Sequence, residues 1–323
     1  MRQEAFRAAG AERWRRIEQI LDRLGKGGRD PEGRFPELYR ELCQDLAIAR
    51  DRHFDALLVE RLNRLAVQGH QQLYRTAPAS LARVTRFFRV VLPRCFRAEL
   101  PALGLAAVIF FGAAVPLALL LQRDPSLVYA VFSPDRVSEL ERMYNPSSPT
   151  FLRPISGESR LAMFGFYVMN NLTVCLRTFA GGALCGVGSL AILLYNGITF
   201  GAVAGHVVRL GFGGPFWRFV SGHAGPELLA MLLSGVAGLR LGWSLLAAGR
   251  YARRVALRLA ARRALPLVYG SVTMLVAAAG IEAFWSPYRQ ASAVKYAVGL
   301  AVFGLLVGYL SFSGSRSGAD RGA

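Results

Sequence analysis

The chain has 323 residues, 53% of them hydrophobic, and carries a net charge of +18 from 39 Lys and Arg against 21 Asp and Glu. A mean hydropathy of +0.31 is unusual for a pair of water-soluble domains. Apolar runs of 18 or more residues, confined to the region after residue 99, make this a membrane protein. The basic residues gather beside those runs rather than on a face with aromatic stackers, which fits the positive-inside rule and leaves no nucleic-acid partner to expect.

The N-terminus (MRQEAFRAAGAERWRR) lacks an apolar core and does not resemble a cleavable signal peptide. Apolar residues then recur at helical spacing: Trp14, Ile17, Leu21 and Leu24; Phe35, Leu38, Leu42 and Leu46; Phe54, Leu57, Leu58, Leu62 and Leu65. Gly25-Lys26-Gly27-Gly28 and Asp30-Pro31 separate the first two groups. Three or so amphipathic helices are expected, burying a modest shared core or packing on a partner. Residues 80–97 differ, because Arg83, Arg86, Arg89, Arg94 and Arg97 alternate with Val84, Phe87, Phe88, Val90, Val91, Leu92 and Phe96. A basic, aromatic helix just before a span suits the anionic inner leaflet of a bilayer. Residues 1–98 thus read as one basic helical cytoplasmic domain.

Six spans are expected over 101–121, 172–195, 197–210, 226–248, 264–285 and 293–312, making an all-α polytopic bundle over 99–313. A loop (122–160, with PSSPTFLRP) follows the first span. Asn196-Gly197 is taken to divide an apolar run, leaving 197–210 as a short span or a re-entrant segment of about 21 Å. Residues 314–323 read as a disordered tail. Residues 1–98 hold 20 basic residues against 12 acidic, and 249–263 holds six arginines and no acid, while 122–160 balances five against five. Placing both basic segments in the cytoplasm requires an even number of spans between them, and four satisfy this, with both termini inside. The 249–263 loop is expected along the inner surface, with Arg254, Arg258 and Arg262 touching lipid.

On this topology several polar side chains converge on the outer half of the bilayer: Asn170, Asn171, Arg177, His206, Arg209, His223, Glu227 and Glu282. Charges at that depth are expensive and raise the question of function. His223 and Glu227 stand four apart, hence on one helical face. HAGPE supplies one His and one Glu but no near second His, so it is not a metalloprotease HExxH, and neither a catalytic set nor a cofactor or metal is assigned. The bland alternative is that Glu227, Glu282, Arg177 and Arg209 pair across helices. Small residues at four-residue spacing (Gly182/Gly186, Gly197/Gly201/Gly205, Ser234/Gly238/Gly242, Gly304/Gly308) suit close helix packing. Cys43, Cys95, Cys175 and Cys185 are scattered, without zinc spacing or a disulfide framework.

Several of these segments together resemble the stage II sporulation protein M family of bacterial membrane proteins: FPELYRELCQDLAIAR, LNRLAVQGHQQLY, FGFYVMNNL, the YNG around Asn196 and Gly197, SGHAGPELLAMLLSGVAGLRLG and AGIEAFWSP. The most specific block is His223, Glu227 and Leu228 followed by Gly238-Leu239-Arg240-Leu241-Gly242. Ala224 stands where the family usually has glycine. The resemblance implies an integral cytoplasmic-membrane protein. The name-giving members scaffold cell-wall hydrolases during engulfment, and longer members with a cytoplasmic extension occur beside MoxR-type ATPases in bacteria that do not sporulate. The expected function is a non-enzymatic scaffold or complex subunit with membrane, cytoplasmic or cell-wall-enzyme partners, able to oligomerise. A permease or channel subunit and an intramembrane hydrolase are the alternatives.

Overall fold

The computed structural model of the protein describes residues 3–26, 28, 30, 33–73, 81–148, 157–288 and 290–314. Gly27, Pro31, most of the PSSPTFLRP stretch and the tail beyond Gly314 lie outside them. The described residues are helical, without a strand, and the chain divides into two units, Met1–Leu81 and Ala82–Ala323.

In the first unit, α1 (Gln3–Gly25), α2 (Phe35–Asp51) and α3 (Ala56–Leu73) follow the apolar periodicity of the sequence. Their stripes meet in one core of Trp14, Ile17, Leu42 and Leu62, each at most 1% exposed, ringed by Phe6, Leu21, Phe35, Leu38, Leu58 and Leu65. One polar group is built into it. Asp45 accepts from Trp14 Nε1 at 2.8 Å and from Arg13 Nη2 at 2.6 Å, which satisfies a carboxylate that is only 6% exposed. Arg61 holds Glu18 through two nitrogens at 3.1 and 3.2 Å. This is a three-helix bundle with its own core.

The second unit opens with α4 (Leu81–Arg86), a π-helical turn Phe87–Val91 and α5 (Leu92–Ala98). Leu92 and Phe96 are buried in the core of the helices that follow, so this segment belongs with the bundle, whereas the sequence grouped it with the residues before it. Then come α6 (Leu100–Arg123), a 3₁₀ turn Pro125–Ala130, α7 (Pro134–Tyr144), α8 (Gly157–Ala180), a 3₁₀ turn Gly181–Ala183 and α9 (Val187–Arg209). The last four helices are α10 (Gly213–Val220), α11 (Ala224–Leu246), α12 (Arg253–Phe284) and α13 (Ser292–Phe312). Five of these, α6, α9, α11, α12 and α13, are long and apolar enough to cross a membrane. The sixth long helix, α8, carries Asn170, Asn171 and Arg177.

The helix break differs from the expectation. Asn196-Gly197 lies inside α9, and the chain turns instead at Gly181–Gly186, where Cys185 and Gly186 take positive φ (53° and 86°). Residues 197–210 therefore form neither a short span nor a re-entrant segment. Within apolar surroundings no water competes for the amides of a helical Asn-Gly, so a pair that would turn a soluble chain does not turn this one. Gly197, Gly201 and Gly205 form a stripe on which the α6 backbone lies, with Phe110, Ala114 and Ala118 opposite in the same order. The two helices therefore run parallel. α12 is also longer than expected: 32 residues span about 48 Å. Its first turns carry Arg253, Arg254, Arg258, Arg262 and Arg263, so the 249–263 segment mostly continues a spanning helix rather than forming a separate surface element.

Close approach is most severe between the turn and α11. A Cβ at Gly242 would collide with the Gly186 amide, one at Gly182 with the Gly238 carbonyl, and one at Gly238 with Ser189 Oγ. Ser189 Oγ donates to the Thr178 carbonyl at 2.6 Å and ties the turn shut. Gly242→Ala is therefore expected to destabilise the bundle by about 2 kcal/mol or more, because backbone meets backbone and nothing flexible can yield. Gly304→Ala, with open space around it, should be neutral or mildly stabilising. Thermal unfolding of both variants in detergent checks the pair; equal midpoints would refute the packing argument.

Candidate functional site

The polar side chains grouped by sequence fall into three places. At the α12–α13 connection, His223, the residue before α11, reaches Glu282 in the last turn of α12, with Nε2 to Oε1 at 3.9 Å. Glu227 lies one turn further along α11, and its amide closes onto the His223 carbonyl at 3.2 Å. One nitrogen or carboxylate oxygen from each of His223, Glu227 and Glu282 lies within 4.8 Å of the others. His223 Nδ1 is bonded to Ser286 Oγ at 3.0 Å, and Lys295 Nζ, on the first turn of α13, donates to the Ser286 carbonyl at 2.5 Å. Both His223 and Lys295 are under 5% exposed.

Glu227 also faces a cavity of about 120 Å³ shared with Asn170, Asn171, Cys175, Asn196 and Met231. Asn170 and Asn171 bond to each other at 3.0 Å, and Asn196 donates to the Ile192 carbonyl at 2.8 Å. Asn196, taken from sequence as a break, is thus a wall of the polar cavity. Thr178, Ser189 and Ser234 are buried along the α8–α9–α11 contact, and Cys175 Sγ lies 2.6 Å from Ser234 Oγ. Beside Glu282, burial pushes the Tyr144 phenol up to about 12, with the carboxylate's charge adding to the shift.

The other members lie elsewhere. His206 Nε2 meets Glu141 of α7 at 2.9 Å, and Arg209 donates to the Gln122 carbonyl at 2.7 Å, both where α9 ends beside α6 and α7. Arg177 lies near the end of α8, next to the turn against Gly238, which is 11 residues or about 16 Å along α11 from Glu227. It is exposed and takes no part in the cluster. The alternative pairing of Glu227 and Glu282 with Arg177 and Arg209 is therefore absent among the described residues. Arg240 pairs instead with Glu99 at 2.7 Å.

At the end of the bundle where α13 finishes, Arg97 Nη1 donates to the carbonyls of Leu310, Ser311 and Ser313 at 3.0, 3.2 and 2.6 Å, capping the last turn. Arg94 Nε reaches the Gly314 carbonyl at 3.2 Å. Arg83, Arg86, Arg89, Arg254, Arg258 and Arg262 stay exposed, as residues meeting a charged surface would. Sequence reasoning missed Ser286, Glu141 and Lys295. Lys295 was legible, being the one charge in the α13 run.

The class is a polytopic, all-α membrane protein with a helical extension before it. The chain matches the Stage II sporulation protein M family over residues 100–287, more than half its length, and belongs to that family. Residues 4–75, the three-helix unit, match a Domain of unknown function (DUF8413). No curated protein and no solved structure matches the chain.

Lys295 donates to a buried carbonyl and stands 5.6 Å from the Trp285 ring. Lys295→Met is expected to cost about 1–3 kcal/mol, because it leaves the Ser286 carbonyl without its donor. Denaturant unfolding of the detergent-solubilised chain measures this. A loss below about 0.5 kcal/mol would mean that water replaces the ammonium.

Proposed function

We propose that the protein is a non-enzymatic scaffold subunit of the bacterial cytoplasmic membrane. In this reading the three-helix unit and both termini face the cytoplasm and engage a soluble partner, and the bundle anchors that assembly and meets an envelope partner. One observation carries the reading: a unit with its own packed core is joined to a bundle of long apolar helices packed backbone against backbone. The arginines at 83–97 and 250–263 support the orientation, since each basic side chain near an anionic leaflet contributes about 1 kcal/mol. The family's name-giving scaffolds support the role by resemblance.

Affinity capture of the full chain from native membranes is expected to recover a protein partner, and removal of residues 3–73 should release the cytoplasmic one while leaving the bundle in the membrane. Recovery of no partner by either form would end the scaffold reading. Impermeant thiol labelling in intact cells, in a background without the native cysteines, should reach Trp217→Cys and not Arg258→Cys. The reverse pattern would invert the topology. A permease subunit is the second reading, favoured by the Asn170–Asn171–Asn196–Glu227 cavity. It predicts ion flux in liposomes, and absence of flux with the partner present would retire it.

A further inference from the structure

We propose that His223, Glu227 and Glu282 bind one divalent transition-metal ion of the zinc class, held between the start of α11 and the end of α12.

Geometry comes first. The three prospective ligand atoms lie within 4.8 Å of one another, and the His223–Glu282 pair stands at 3.9 Å. Zinc binds imidazole nitrogen at about 2.0–2.1 Å and carboxylate oxygen at about 2.0–2.2 Å, which puts tetrahedral ligands about 3.3–3.5 Å apart. Closing the set needs movements of about 1 Å, at the ends of two glutamate side chains. His223 and Glu227 share a face across one closed helical turn, so half of the site is fixed by the backbone.

The second argument is charge. Glu227 and Glu282 face each other with no lysine or arginine within ion-pairing distance of either among the described residues. Glu227 makes no side-chain hydrogen bond there. Two such acids are expensive to keep ionised unless a cation sits between them. Lys295 forms no ion pair with either carboxylate; its ammonium donates to the Ser286 carbonyl.

The third is orientation. Ser286 Oγ engages His223 Nδ1 and turns Nε2 toward the carboxylates, the arrangement that fixes a metal-binding imidazole through its other nitrogen. Lys295 in turn fixes Ser286. One imidazole with two carboxylates favours zinc, manganese or ferrous iron over calcium and magnesium, which prefer all-oxygen shells. Three protein ligands leave a fourth position for water or for a group from a partner.

The test uses the full, tag-free chain in detergent, stripped with a chelator and then dialysed separately against Zn²⁺, Mn²⁺, Mg²⁺ and Ca²⁺, with metal content read by mass spectrometry. The wild type should keep about one zinc per chain and unfold at a higher temperature with zinc than without it. E227Q and E282Q should each weaken retention at least tenfold, and S286A should weaken it about 10- to 100-fold through the imidazole. H206Q, at the separate Glu141 pair, should keep the full equivalent. Cobalt substitution should give the visible absorption of a four-coordinate site in the wild type and not in E227Q. Should the glutamine variants fail to fold, S286A and the cobalt spectrum decide. Retention well below one equivalent by the wild type overturns the site. So does undiminished zinc in E227Q and E282Q, or loss of zinc in H206Q alone.

Discussion

Backbone contact between α11 and the turn Gly181–Gly186 is the constraint on which the membrane unit depends. Helices in a bilayer gain nothing from hiding apolar side chains from one another, because lipid is as apolar as leucine, so they associate by approaching closely. Gly182 and Gly186 on one side, and Gly238 and Gly242 on the other, let backbone approach backbone across that interface. Ser189 closes the turn onto Thr178. With the α8–α9 hairpin seated there, the remaining order follows: α9 lays its glycine stripe along α6, and the start of α11 is carried about 16 Å away to meet the end of α12. The acidic cluster is therefore held at a fixed distance from the glycine contact by one straight helix.

Much of this was legible from residue type and spacing alone, and the misreadings trace to one place. Apolar runs locate the long helices because a span needs about 20 residues, and the three-helix stripe around Trp14 and Leu62 reads at helical period. The turn was misplaced because Asn196-Gly197 carries a strong signal in water, whereas Gly181–Gly186 looks like one more set of small residues in a small-residue helix. Moving the turn back to Gly181–Gly186 shifts α8 toward the N-terminus, to Gly157–Ala180, without lengthening it. Asn170 and Asn171 then shift from the membrane edge to mid-helix, and Arg177 goes to the opposite end. Arg177 could not have been placed with confidence by loop charge, since both placements keep the same parity. His206 and Arg209 lie in the last turn of α9; His206 meets Glu141 in the connecting segment 124–148, whose path no periodicity encodes, and Arg209 meets the Gln122 carbonyl near the end of α6.

The two ends of the bundle solve different electrostatic problems. Where α13 finishes, Arg97 satisfies three carbonyls that a helix end leaves unpaired, and the exposed arginines of α4 and α12 face outward. That end is held by cations acting on backbone dipoles. At the other end Glu227 and Glu282 stand close to each other, beside an imidazole bonded to Ser286, with a lysine that donates to the Ser286 carbonyl and three asparagine amides nearby.

An apolar replacement of these acids would remove the expense of burying them, because paired or unpaired charges in a low-dielectric interior are seldom more stabilising than well-packed hydrocarbon. Packing alone therefore gives no reason for two glutamates, a histidine and a lysine to share the end of a bundle whose other contacts are glycine on backbone. The cation site proposed above would supply that reason. The same helix that brings Glu227 to His223 also opens its carboxylate onto the asparagine-lined cavity. A change at the carboxylates, whether a proton or a cation arriving, would therefore be felt at once by α8, α9, α11 and α12, the four helices that meet around that cavity.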